Sequence, residues 1–435
     1  MPAQLLRVGF GVADITPPTG LLMCGDLDPR TNVGLEDPLL AKALVAEAGG
    51  KKAAVVGVDL VGLPRQIADR AIAEASRRTG IEPDAILVSC SHTHSGPYTT
   101  DDLYAPGVTD AAYLARLPDL IASSVEQANS TLHVATMYVG RSLVYHGLHH
   151  RRVLCKDGKA LNTWMRNALD DLERVPQVLG ACGPIDPELW VARFDSAAGE
   201  PLVLLWNFSL HCNMHFGVTW CADYPGVVAE AMRRAYHPQL VTVFTPGACA
   251  NINSTWPASW RAGAEFLAGE VLAASRRATR VDGLVCVDAV RRDVMVARRR
   301  PESQPPGAID RLDWGAGSGR RDVFEPMVDR VARMPRELEA PVSAVRIGPL
   351  AIASNPGELF VEHGLSIKQR SPFLHTVVAE LTNDLIMYQP TREAFQQQGY
   401  ETLIGANRVA SEGIEKIVDT AVELLLELWD RGQRV

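Results

Sequence analysis

The chain has 435 residues, 47% of them hydrophobic and 22% charged, with a formal net charge of −8. That composition supplies a large core and excludes disorder, and the acidic balance argues against nucleic acid as a partner, since a nucleic-acid binder carries a basic stripe. No run approaches the roughly 18 uncharged apolar residues of a membrane span, and MPAQLLRVGFGVADITPPTG at the start shows no basic leader before an apolar block, so no secretory signal is expected.

In chain order, KKAAVVGVDLVG reads as a buried strand, Pro64 to Thr79 as a helix, and AILVSC (Ala85–Cys90) as the next strand. A helix is expected over Asp110 to Asn129, then a strand in ATMYVGRSLV. LWVARFD and PLVLLWNFSLH read as a hairpin turning at AAGE. Val227 to Tyr236 is helical, LVTVFTP is a strand, and SWRAGAEFLAGEVLAASRRA is an amphipathic helix. LVCVDAVRRDVMVA and VSAVRIGPLAIASN are further strand regions, and a helix from about Glu412 to Arg431 closes the chain. Between them, the Pro-, Gly- and charge-rich residues 298–327 read as a loop insertion. The expectation is a single mixed α/β domain over 1–435, with largely antiparallel sheets flanked by helices, rather than a doubly wound parallel sheet. The eight cysteines include no CxxC pair, which makes free thiols in a reducing cytoplasm the expected state. A small-molecule substrate is the expected partner, and homo-oligomerisation is compatible with it.

The sharpest local signal is Ser91-His92-Thr93-His94-Ser95-Gly96-Pro97, directly after a buried strand. On an extended chain His92 and His94 point to the same side. Two adjacent imidazoles repel if both are charged, so they share a cation or stay neutral and hydrogen-bonded. His211 ends the apolar strand PLVLLWNFSLH, as a packed core histidine does or as a ligand at a pocket mouth does; His215 follows on the same loop. In Asn355-Pro356-Gly357-Glu358 the carboxylate sits before the helical pattern LFVEHGLSIKQ. There it complements a helix dipole or adds to two imidazoles to complete a catalytic zinc shell with an open position. Glu362 and His363 lie one turn on. Tyr388 precedes a proline-marked turn. Thr245 to Asn253 (TPGACANIN) follows a strand with small residues that permit close backbone approach, and Asp223 is placed to cap a helix. No GxxxxGK loop is present, and GAGSG (Gly315–Gly319) puts its serine at the wrong place for a nucleophile elbow. Trp220, Trp256 and Trp260 flank these loops, where they pack or line a pocket.

Together these pieces resemble the neutral/alkaline non-lysosomal ceramidase family: GVADITPPTG, VGVDLVG, SHTHSGP, GPIDPELWVARFD, FSLHC with ADYPG, TPGACANIN, NPGELF, and NDLIMYQPTREAF with GYET, in order over residues 8 to 402. The resemblance implies the catalytic domain of that family, without its immunoglobulin-like C-terminal domain, and one zinc held by His92, His211, Glu358 and Tyr388. His94 resembles the residue that faces the scissile group. The family tyrosine motif has two tyrosines three apart; here the earlier one is Leu385. Where the family carries a serine needed for amide cleavage this chain has Gly247, and the family acidic residue becomes Asn251. His149-His150-Arg151-Arg152 before KDGKALN resembles an arginine-containing loop of the shorter bacterial relatives, where either arginine is a candidate to bind an anionic or oxyanion group. Gly247, Asn251, Trp220 and the two arginines are the expected substrate contacts.

The implied activity is zinc-dependent hydrolysis of an amide (N-acyl) or related acyl bond by metal-activated water, on a substrate other than long-chain ceramide. His94 would serve as acid or base and Tyr388 would steady the oxyanion. An esterase, a lactonase, a glycoside-cleaving enzyme or a non-catalytic binding protein on the same fold are the alternatives.

Overall fold

The computed structural model describes residues 5–28, 30–103, 107–164, 177–255, 259–283, 285–312 and 320–433. Long apolar runs form the strands of a mixed sheet: β1 (Arg7–Asp14), β2 (Leu40–Ala48), β3 (Lys51–Val58), β4 (Ile86–Cys90), β5 (His133–Leu143), β6 (Glu188–Ser196), β7 (Pro201–Phe208) and β8 (Val241–Pro246). Their spatial order is β8-β7-β6-β5-β1-β2-β3-β4, and the two-residue strand Thr279–Arg280 joins β5. The neighbours β3/β4 and β7/β8 run parallel, and the other pairs antiparallel. β6 and β7 form the hairpin expected from the sequence. β3, β4 and β8 are buried along nearly their whole lengths, as strands covered on both faces must be. β1 and β2 carried no expectation of their own.

The sheet rolls until its ends meet. Gly57 on β3 makes this possible, because a Cβ there would lie 2.5 Å from the Phe244 carbonyl oxygen on β8. The register pairs Val58 with Cys90 and Phe208 with Pro246. The carboxyl ends of four strands therefore open at one place, the edge where mixed sheets tend to hold ligands. Helices α1 (Arg65–Thr79) and α2 (Ala111–Ser130) cover one side, while α3 (Tyr224–Ala235) and α4 (Trp260–Arg276) pack together over the β5/β6/β8 side.

A second sheet, β9 (Val287–Ala297), β10 (Glu337–Ile347), β11 (Leu350–Ser354) and β12 (His375–Ala379), is ordered as numbered, with β11/β12 parallel. Asn207 ties the sheets by donating to the carbonyls of Thr245 (2.9 Å) and Val378 (2.7 Å). The expected insertion at 298–327 is only partly a loop. One 3₁₀ turn covers Pro301–Ser303, and helix α5 (Arg321–Arg333) begins inside the segment. Val323, Phe324, Met327 and Val331 are all buried, a helical spacing that the proline-rich flank obscures in the sequence. The GAGSG run lies outside the described residues. Helices α6 (Val361–Arg370) and α7 (Ser411–Gln433) complete the fold, α7 lying along β9 and β10. Among the described residues no helix is long and apolar enough to cross a membrane.

The close approach at Gly57 yields a paired prediction. Gly57→Ala forces β3 and β8 apart and destabilises by about 2 kcal/mol, the range of core overpacking. Gly269→Ala, on an exposed turn of α4 with open space around it, stabilises by up to about 1 kcal/mol. Denaturant midpoints at unchanged slope measure both; equal midpoints for Gly57→Ala and the parent would show that the edges do not meet there.

Candidate metal centre

Beyond β4 the chain leaves the extended conformation at once. Ser91 and His92 donate their backbone N–H to Val58 (2.8 Å) and Leu60 (2.9 Å), and His92 takes a left-handed backbone, φ 69°. The expected alternation of His92 and His94 along a strand is thus not what aligns them. The left-handed kink does so, a conformation disfavoured for a side chain with a Cβ and common at functional sites. His92 Nε2 ends 3.4 Å from His94 Nε2 and 3.0 Å from His211 Nε2. His211 comes from the segment after β7, which stops at Phe208.

Each ring is fixed from behind. His92 Nδ1 is 2.8 Å from the Val61 carbonyl, His211 Nδ1 is 3.2 Å from the Cys249 carbonyl, and His94 bonds the backbone of Gly25. These carbonyls take the ring protons, which leaves the lone pairs on the other nitrogens facing one another, the arrangement seen where backbone groups orient metal ligands. Burial, then the neighbouring His92, pushes His94 and His211 well below the ordinary histidine range. At His92 burial acts in the same sense, but Glu358 outweighs it and raises the pKa.

Glu358 arrives on a two-residue strand, Glu358–Leu359, paired in parallel with Tyr388–Gln389 and opposite Tyr388 in register. Its Oε2 lies 3.4 Å from His92 Nε2 and has no hydrogen-bond partner although the residue is buried. A buried carboxylate oxygen whose close neighbour is the edge of a three-imidazole cluster fits a divalent cation. The side chains of His92, His94 and His211 place one ligand atom each within 4.8 Å of the others, a group able to hold a metal.

The centre forms the floor of a cavity of about 390 Å³. Val61, Leu103, Met214, Phe216, Leu385 and Met387 supply much of its wall, with Trp164 and Tyr400. Arg151, Tyr388, Asn213 and Asn253 add polar groups. Arg151 is fully inside. Its Nε donates to Glu401 (2.8 Å), its guanidinium stacks 5.4 Å from the Tyr388 ring centroid, and Nη1 reaches within 3.5 Å of His211 Nε2.

The other expected substrate contacts lie elsewhere. Arg152 turns away from the cavity and bonds Glu401 (2.8 Å) and the Gln398 carbonyl (2.7 Å). Asn251 is used internally: its Oδ1 accepts from Val361 N (2.9 Å) at the start of α6, and its Nδ2 meets Glu362 (2.8 Å) and His150 (3.0 Å). Trp220 is fully buried in the core, and Gly247 packs on Ser209, whose Oγ lies 2.3 Å from where a Cβ would be. Trp260 stacks on His215, and Trp256 lies outside the described residues. His215 bonds Ser95 Oγ (2.8 Å), Glu362 serves Asn251 and His150, and His363 faces the Pro390 carbonyl (3.4 Å); none of these three lines the cavity. Asp223 caps α3 as expected.

Two supporting carboxylates carried no expectation. Glu401, from the GYET piece, is fully buried. Burial alone would raise its pKa, but Arg151 and Arg152 prevail and lower it. Glu380 accepts from the backbone N–H of Leu359 (2.8 Å) and Cys249 (3.2 Å) and from the Cys249 thiol (2.9 Å). It thereby joins the neighbour of Glu358 to the residue whose carbonyl orients His211, and burial pushes its pKa up to about 8. GYET was a visible motif with no role attached; the lone Glu380 in VVAELTND offers no signal in the sequence.

No family model matches the chain. Over 218 residues, 47% of the chain, it is 22% identical to Neutral ceramidase A of Dictyostelium discoideum, a match that spans 28% of that protein. In shape it is similar to the crystal structure of neutral ceramidase from Pseudomonas aeruginosa, with a TM-score of 0.76 at 20% identity over 98% of this chain and 75% of that one. It is similar to the same degree to a ceramidase complexed with C2, with a TM-score of 0.75 at 18% identity, covering 98% and 76%. Since agreement of shape runs over nearly every residue of this chain, the rolled sheet, its companion sheet and the helices around them make up a neutral ceramidase-like fold.

Proposed function

We propose that the protein is a zinc-dependent hydrolase of amide (N-acyl) bonds, with the metal held by His92, His211, Glu358 and Tyr388. The observation that carries this reading is the convergence of three imidazole nitrogens and the buried Glu358 carboxylate at the floor of a cavity. A bound zinc ion supplies Lewis acidity and lowers the pKa of a water ligand towards about 7.

The chain supplies the rest. His94 is the one imidazole of the three that is not fully buried, and its lowered basicity keeps it neutral and ready to accept a proton from attacking water. The same nitrogen then returns the proton to the leaving amine. Tyr388, beside the permanently charged Arg151, faces the cavity where the carbonyl oxygen gains charge and steadies it. The apolar wall excludes bulk water and strengthens these interactions. A volume of about 390 Å³, at the small end of ligand sites, supports a compact acyl compound in place of long-chain ceramide.

Two predictions follow from these roles. His92→Ala and Glu358→Ala each lose stoichiometric zinc and at least about 100-fold in kcat/KM on a panel of N-acyl substrates; metal analysis showing full zinc in His92→Ala refutes the ligand set. Glu401→Leu strands two buried guanidiniums and destabilises by about 3–5 kcal/mol, whereas Glu401→Gln, which keeps an acceptor, loses less. Thermal denaturation of the two variants side by side reads the difference.

A further inference from the structure

Arg151 and Arg152 share a single buried carboxylate, Glu401. Arg152 is satisfied on the far side by Glu401 and the Gln398 carbonyl. Arg151 is the one that reaches the cavity, and there its Nη2 has no hydrogen-bond partner, although the residue is 3% exposed. The pair shares one carboxylate, and Arg151 also interacts with Tyr388 and, through charge, with Glu358, which is itself turned towards the imidazoles. The guanidinium is thus paired on its Glu401 side while Nη2 stays without a hydrogen bond on the cavity side, and a buried donor left unmade is costly, so this geometry favours a ligand that brings an anionic acceptor.

A second orphan stands beside it. Asn253 is 8% exposed, lines the same cavity and leaves its Oδ1 without a partner. In the ladder that joins 148–150 to 252–254, Asn253 lies opposite His149, two residues before Arg151. Arg151 follows directly where the 148–150 strand ends at His150, and both Arg151 and Asn253 line the cavity. The wall therefore presents an unused cationic donor and, one step along, an unused acceptor. An α-amido carboxylate offers the complement within a single residue length: a carboxylate for Arg151 Nη2 and an amide N–H for Asn253 Oδ1.

Resting on the amide-hydrolase reading of this site, we infer that the substrate is a compact N-acyl amino acid, its carboxylate held by Arg151 and its amide N–H by Asn253. In the reaction water adds across the acyl C–N bond. The acyl carbon takes the hydroxyl, the amine takes the proton, and the carboxylate on Arg151 is unchanged.

The test measures binding and turnover separately on the full, zinc-loaded chain. The binding probes are an uncleavable pair, N-methylsulfonyl-leucine and its carboxamide, followed by calorimetry. The acid binds at least about tenfold tighter than the carboxamide, because a charge-assisted bond replaces a neutral one. Asn253→Asp, nearly isosteric, sets a carboxylate against the ligand's own. It weakens the acid at least about tenfold and leaves the carboxamide within about threefold. Arg151→Gln, checked for folding by circular dichroism, removes the preference. Equal binding of acid and carboxamide by the parent overturns the inference. So does an acid preference that survives Asn253→Asp, since the carboxylate would then sit on the metal. Hydrolysis of N-acetylleucine and N-acetylleucinamide separates the two readings. Cleavage of both at equal kcat/KM refutes the carboxylate site and leaves the hydrolase. Acid-selective binding with no cleavage of any N-acyl amine upholds the carboxylate site and refutes the hydrolase.

Discussion

Three imidazoles crowd together beside a buried carboxylate, and the Nε2 lone pairs of His92 and His211, only 3.0 Å apart, repel one another unless a proton or a cation stands between them. That constraint organises the floor of the cavity. Glu358, turned towards His92, adds a buried negative charge, and burial strengthens its pull on whatever sits beside it relative to water. The donor set, two or three imidazoles and a carboxylate with room beside them, suits zinc by ligand type.

Bringing such a cluster together requires rigidity from elsewhere, and the fold provides it in layers. The rolled sheet brings the ends of β4 and β7 to one edge, which fixes where His92 and His211 begin. Backbone carbonyls of Val61, Cys249 and Gly25 then set each ring's orientation. Behind them Glu380 joins the segment bearing Cys249 to the one bearing Glu358. Glu401 fixes Arg151 by neutralising the arginine pair in part. The buried ion pair Lys42–Asp59, 3.0 Å apart, secures the turn that leads to Val61. A site supported through backbone atoms and buried charges tolerates wide sequence change around it. This is consistent with a shared shape at about one identical residue in five.

Much of this was legible from residue patterns because the strands are buried on both faces. Runs such as AAVVGV and LVTVF are unbroken by charge, and the hairpin at AAGE announces its own turn. His92 and His211 stood out because each comes at the end of such a run, and Glu358 because it follows a proline–glycine turn after one. What stayed hidden depends on contacts far apart in the chain. The left-handed backbone at His92 has no local cue, since histidine has no particular need for it. Arg152, Asn251 and Trp220 carry chemistry-bearing side chains, but their hydrogen bonds and packing are spent inside the protein, a choice made by Glu401, Glu362 and the core. Helix α5 was masked by the prolines and glycines before it.

Gly247 shows how substrate choice differs on one fold. The family resemblance expects a serine there, and its absence reads in the sequence as a missing group. In the structure the space is already used: Ser209 Oγ lies 2.3 Å from where a Cβ would begin, and Ser209 itself is linked to Asp186, which holds Lys368. Restoring the side chain would thus displace a buried polar chain rather than fill a vacancy. A site that had merely lost one contact would keep the room for it. This one has closed over the place, and Gly247 does not line the cavity, whereas Arg151 and Asn253 do and each keeps a polar atom without a hydrogen bond there; the proposed recognition therefore rests on those two side chains and not on the position of the expected serine.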